Sequence, residues 1–179
     1  MNARRTVKDL DPDANPASVA RSIILRQLTN SPKSRHQLAQ KLAERDIPED
    51  VIESVLDRFE EIRLIDDAEF AHLWVRSRAR NKSLARGALK RELAEKGIAP
   101  ELIEDALAQV SDDDENDGAR TLVRRKLGAC KNLADRDERE KYTRRWVAML
   151  ARKGYSPNLA YQVVGQVIDD ALSDEPGLE

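Results

Sequence analysis

Residues 89–107 read LKRELAEKGIAPELIEDAL, and the chain writes nearly the same phrase twice more, as LAQKLAERDIPEDVIESVL at 38–56 and WVAMLARKGYSPNLAYQVV at 146–164. Setting the three in register aligns Leu42, Leu93 and Leu150, then Arg45, Lys96 and Lys153, then Asp46, Gly97 and Gly154, then Ile47, Ile98 and Tyr155. Self-similarity on this scale marks a tandem array of supersecondary units. Each copy reads as helix, tight turn, helix. In the first helix of the pair, B, the apolar residues Leu38 and Leu42, Leu89 and Leu93, and Trp146 and Leu150 are spaced by four and share a face. Gly97 and Gly154 suit the left-handed position just past a helix end, where Asp46 is a poorer substitute. Pro48, Pro100 and Pro157 fall where the second helix, C, begins, where a missing N–H costs nothing.

A third helix, A, precedes each pair. ARSIILRQL at 20–28, AHLWVRSRA at 71–79 and ARTLVRRKL at 119–127 align on Ala20, Ala71 and Ala119 and on Ile24, Val75 and Val123. The connection from A to B in the third copy, around 128–136, is about nine residues longer than in the others. Cap signals agree: Asn15–Pro16 opens the first A helix, Asp66 with Glu69 the second, and Ser34 with Gln37 the first B helix. No sustained alternation of period two supports a strand. The expected fold is all-α, with three tandem three-helix repeats forming an elongated, curved solenoid. Its parts are a flexible tail at 1–14, repeats at 15–63, 66–110 and 114–172, and a second tail at 173–179. The acidic stretch SDDDENDG at 111–118 reads as a linker whose carboxylates also favour the start of the third A helix.

Composition narrows the class. The chain has 179 residues, of which 36% are charged and only 4% aromatic, a balance that suits helices. Cys130 is the single cysteine, so no disulfide can form within the chain and a reducing compartment fits. No apolar stretch follows Arg4 and Arg5, so no secretory signal is expected, and the apolar run at 146–151 is too short to span a membrane. A cytoplasmic protein is expected.

The net charge of −2 hides a sorting of charge by helix. Residues 76–91 hold seven basic side chains and no acidic one, and 118–153 hold twelve basic and four acidic. The stretches with the C helices are the reverse: 44–69 carries net −8 and 92–117 net −9. If the repeats stack alike, A and B helices present a basic strip. Its candidate members are Arg76, Arg78, Arg80, Lys82, Arg86, Lys90, Arg91, Arg124, Arg125, Lys126, Arg144 and Arg145. Such a strip suits a polyanion or an acidic protein groove; the plainer account is solvated pairs with the C-helix carboxylates, each worth little.

Catalytic and metal signals are absent from the pattern. His36 and His72 lack a second ligand at metal spacing, and there is no Gly-rich phosphate loop or nucleophile motif. Asp66 and Asp67 precede a helix, where capping explains them. Either tryptophan could stack on a base, but Trp146 takes the place of Leu38 and Leu89 and is assigned to the core, while the sequence leaves Trp74 unassigned between the two roles. No enzyme activity, cofactor or metal is expected.

The stretches SRHQLAQKL at 34–42, RLIDDAEFA at 63–71 and LKRELAEKGI at 89–98 resemble the RecX family, regulators of the RecA recombinase. The likeness spans roughly residues 17–172, with a divergent third repeat. It implies a tandem three-helix-repeat protein that lies in the groove of the RecA–DNA filament. There it restrains filament growth, ATP hydrolysis, strand exchange and coprotease activity, with weak direct DNA contact as a further possibility. A monomer is expected separately, because each repeat has its own apolar faces and no further apolar stripe is left for a second copy. The competing reading is a helical DNA-binding module, against which the acidic C helices argue.

Overall fold

The structure is a computed structural model that describes residues 15–130 and 132–173. The two expected tails lie outside these residues, except for Ser173, which ends the last helix. The described residues form nine α-helices and no strand: α1 (Pro16–Asn30), α2 (Arg35–Ala43), α3 (Glu49–Glu61), α4 (Asp67–Lys82), α5 (Arg86–Glu95), α6 (Pro100–Leu107), α7 (Asp112–Leu127), α8 (Arg136–Arg152) and α9 (Pro157–Ser173). The chain divides into two compact units. One takes in the chain up to Leu73 together with Leu93–Ile103; the other takes in Trp74–Glu92 together with the chain from Glu104 onward. The boundary passes through the three helices of the middle repeat.

In the first unit α1, α2 and α3 pack on one another. Their apolar rows meet in a core whose Ile24, Leu38, Leu42 and Leu56 are fully buried, with Phe59 and Ile65 beside them. Each such side chain contributes roughly 1.5–3 kcal/mol of burial. Ser34 and Gln37 form the expected capping box at the start of α2. Arg35 then reaches three carboxylates on one face of α3, Glu53 (2.5 Å), Asp57 (2.8 Å) and Glu60 (2.6 Å). Glu53, Asp57 and Glu60 are spaced by four and three, the helical rule for a shared face.

In the second unit α7 and α8 pack against α9, burying Val123, Trp146, Leu150, Val163, Val164 and Val167. The stretch 111–118 is not a linker. Ser111 caps α7 and accepts from the Asp114 N–H, while the Asp114 side chain returns to the Ser111 N–H. These hydrogen bonds from Ser111 hold the Asp114 carboxyl below the ordinary range. Four acidic residues in the first turn and three cations in the last complement the helix dipole. The acids that resembled a spacer are helix-starting residues.

The longer connection in the third repeat is partly helix. α8 has 17 residues, against 9 in α2 and 10 in α5, so the insertion supplies a turn after Gly128 and about two additional turns at the start of α8. Asp135 caps it by accepting from the Glu138 N–H. Tyr142, from this extension, stacks on Trp146 with ring centroids 5.6 Å apart.

The B–C turns explain the glycines. Asp46, Gly97 and Gly154 all have positive φ, at 57°, 71° and 90°. Within the first unit, the turn at Gly97 lies against the start of α2: Ser34 Oγ donates to the Lys96 carbonyl at 2.6 Å, and a Cβ on Gly97 would collide with His36. Within the second unit the turn at Gly154 repeats this against the start of α5. The Ala85 N–H donates to the Lys153 carbonyl at 3.0 Å, Tyr155 Oη donates to the Ser83 carbonyl at 3.0 Å, and a Cβ on Gly154 would meet Ala88. Among the described residues no repeat precedes the first, and Asp46 is exposed, so its side chain collides with nothing. Tyr155 departs from the Ile47 and Ile98 pattern yet is buried alike, because its hydroxyl finds that carbonyl. Burial, with Glu115 nearby, pushes its pKa up to about 12.

Candidate partner-binding surface

All twelve candidate cations lie in the second unit, on α4, α5, α7 and α8. A helix turns by about 100° per residue, so a basic run cannot face one way, and tertiary partners divide it. Five of the twelve are engaged within the molecule. The Arg78 guanidinium lies 4.2 Å from the centre of the Trp74 ring and 3.6 Å from Glu92. Arg86 is bound most tightly: its N–H donates to Glu115 Oε1 at 2.6 Å and its guanidinium pairs with Glu115 and Asp112. This repeats, one repeat later, the donation of the Arg35 N–H to Asp67 Oδ1 at 2.8 Å. Arg86 therefore fastens the start of α5 to α7. Lys90 pairs with Glu104 (2.5 Å), Arg124 with Asp170 (3.9 Å) and Arg144 with Glu140 (3.6 Å), all at exposed positions where pairing is weak.

The other seven, Arg76, Arg80, Lys82, Arg91, Arg125, Lys126 and Arg145, are exposed and form no ion pair among the described residues. Arg80 and Lys82, in the last turn of α4, and Arg125 and Lys126, in the last turn of α7, also complement helix dipoles. Two concavities gather some of them. Arg76 and Arg80 border one of about 310 Å³ beside Asp114, Glu115 and Tyr155. Arg125, Lys126 and Arg145 border another of about 600 Å³ between α7 and α8, together with Arg152 and Lys153. Arg152 and Lys153 lie outside the densest basic runs, yet their spacing of seven and eight from Arg145 already sets them on its face of α8. Arg144 turns away, toward a concavity shared with Asp169 and Glu140.

Neither tryptophan offers an open platform. Trp146 is core, at 3% exposure. Trp74 is half-buried, with its indole N–H donating to Glu92 at 2.7 Å and Arg78 over its ring. Among the described residues no group of three His, Cys, Asp or Glu side chains could hold a metal ion, and no helix is long and apolar enough to cross a membrane.

Comparison with known proteins agrees with this construction. The second three-helix domain of RecX matches residues 66–107 and the first matches residues 20–59. A regulatory protein RecX of Streptomyces coelicolor is 48% identical over 164 residues, covering 92% of this chain and 85% of the relative. This chain belongs to the RecX family. A RecX of Thermobifida fusca is 44% identical over 150 residues, 84% of this chain and 79% of the relative. Two RecX crystal structures share the fold. That of Lactobacillus salivarius RecX has a TM-score of 0.70 at 22% identity, over 87% of this chain and 96% of that one. A second has a TM-score of 0.73 at 24% identity, over 93% and 82%. The RecX relatives are described as regulatory proteins, and the helix-turn-helix repeats described above are the architecture they share.

Proposed function

We propose that this protein binds the RecA–DNA filament and restrains RecA's recombinase, ATPase and coprotease activities, as a monomeric cytoplasmic regulator of recombination and DNA repair. Membership of the RecX family supports the regulatory role. The observation that carries the contact surface is the set of seven exposed cations without an ion pair among the described residues, on four helices of a chain whose net charge is −2. A protein of this charge gains attraction to a nucleoprotein surface only through a local patch, which both speeds encounter and adds affinity. Of the proposed repeats at 15–63, 66–110 and 114–172, the second and third carry these cations and the first carries none of them.

RecA's DNA-dependent ATP hydrolysis, measured with and without this protein, tests the reading: hydrolysis falls on addition. Unchanged hydrolysis at saturating protein overturns it. The same cations suit DNA phosphates, so the alternative is a module acting directly on nucleic acid. Titration against free single-stranded DNA and against RecA-coated DNA separates the two, with tighter binding to the coated strand expected.

A further inference from the structure

The concavity of about 600 Å³ between α7 and α8 has a composition unlike the other charged surfaces of the second unit. Arg125, Lys126, Arg145, Arg152 and Lys153 surround it, and among the described residues no carboxylate lines it. None of the five forms an ion pair among the described residues, and Lys153 donates to the Lys82 carbonyl at 2.6 Å. Its apolar lining comes from Leu122 on α7, Trp146 and Met149 on α8, and Ala129. Tyr142, Arg145, Met149 and Arg152 succeed one another by three, four and three residues, so α8 lays a mixed apolar and basic row along one wall. The extension of α8, which only the third repeat has, provides Tyr142 and closes the end of the row.

We propose that this concavity is a docking site for a linear acidic peptide segment bearing one bulky apolar side chain. The cations meet the carboxylates and the apolar side chain seats on Leu122 and Met149. Methionine's flexible thioether suits it to an anchor of variable shape. A polynucleotide fits less well. The Trp146 ring is buried and covered by Tyr142, so the aromatic pair offers no open indole face for a base. The site goes beyond the function proposed above, and it is testable without RecA.

The probe is a fluorescein-labelled peptide with a central leucine flanked on each side by four acidic residues, followed by fluorescence anisotropy at near-physiological salt. Binding is expected. A peptide with serine in place of the leucine binds weaker by on the order of tenfold, and the double variant Arg125→Ala, Arg145→Ala weakens the leucine peptide by on the order of tenfold. Arg76→Ala with Arg91→Ala leaves binding unchanged. Cys130, the only cysteine of the chain, lines the same cavity. Bound peptide therefore slows its alkylation by iodoacetamide. Arg152→Glu, an exposed position, repeats the test should the double variant lose helical circular dichroism. Failure of the peptide to bind overturns the proposal. So does equal binding of the serine peptide, which would leave only a charge effect. So does equal competition by an oligothymidylate of matched charge, which would assign the cavity to phosphodiesters.

Discussion

Gly154 holds its carbonyl 2.6 Å from where a Cβ on Gly87 would stand, and has Ala88 where its own Cβ would stand. Two costs therefore fall on Gly154→Ala. A side chain at φ 90° is strained by about 1–3 kcal/mol, and overpacking against Ala88 adds about 1–3 kcal/mol. Gly97→Ala carries the same pair of costs against His36. Asp46→Gly relieves left-handed strain without losing a contact and is expected to be neutral or stabilising, within about 1 kcal/mol. Urea melts of the three variants check this, and equal losses would disprove the steric account. Tyr155 offers a second measurement. Its folded pKa lies above its unfolded value, so the folded state keeps its proton longer. The contribution is full below about pH 10 and is lost as pH rises toward about 12. Tyr155→Phe removes this slope and also the hydrogen bond to Ser83, at about 1 kcal/mol. The gap between wild type and variant should narrow from pH 10 to 12 in paired denaturant titrations, and a constant gap would refute it.

At the level of the helices, apolar spacing and cap chemistry were legible because both are local. Leu42 and Leu93 hold equivalent places and both are fully buried, so Leu42→Ala and Leu93→Ala should each cost about 2–5 kcal/mol. Glu61, exposed in a surface pair with Arg58, should cost within about 0.5 kcal/mol when changed to Ala. Glu60, its neighbour, is less dispensable because Arg35 binds it at 2.6 Å. Chemical denaturation that fails to separate the leucines from Glu61 would mean the wrong face is inward. The acidic stretch at 111–118 was legible in part: the preference of its carboxylates for the start of a helix followed from charge, whereas the Ser111 cap that draws the run into α7 rather than a linker did not. The α8 extension was visible only as extra length, because an insertion declares how many residues it adds and not whether they coil.

For the molecule as a whole, the sign of each segment's charge could be read from the sequence, but the charges left unpaired could not. Arg86 and Arg76 are indistinguishable within one basic run, yet the partners of Arg86 are Asp112 and Glu115, which only folding brings near. Arg76→Glu, Arg80→Glu, Lys82→Glu and Arg91→Glu combined should leave helical circular dichroism intact, weaken RecA inhibition and flatten its salt dependence. Arg86→Glu instead should lower thermal stability, since it places a carboxylate against Glu115. Full inhibition by the folded quadruple variant across a salt series would move the contact surface to the C helices or the termini. The joints between repeats also carry an instruction for building. Each seats a glycine turn of the later repeat against the start of the B helix of the earlier one, and among the described residues no B helix lies against the turn at Asp46. A further repeat grafted ahead of Pro16 would therefore require Asp46→Gly before it could mate, so one codon sets whether this array can be lengthened from its front.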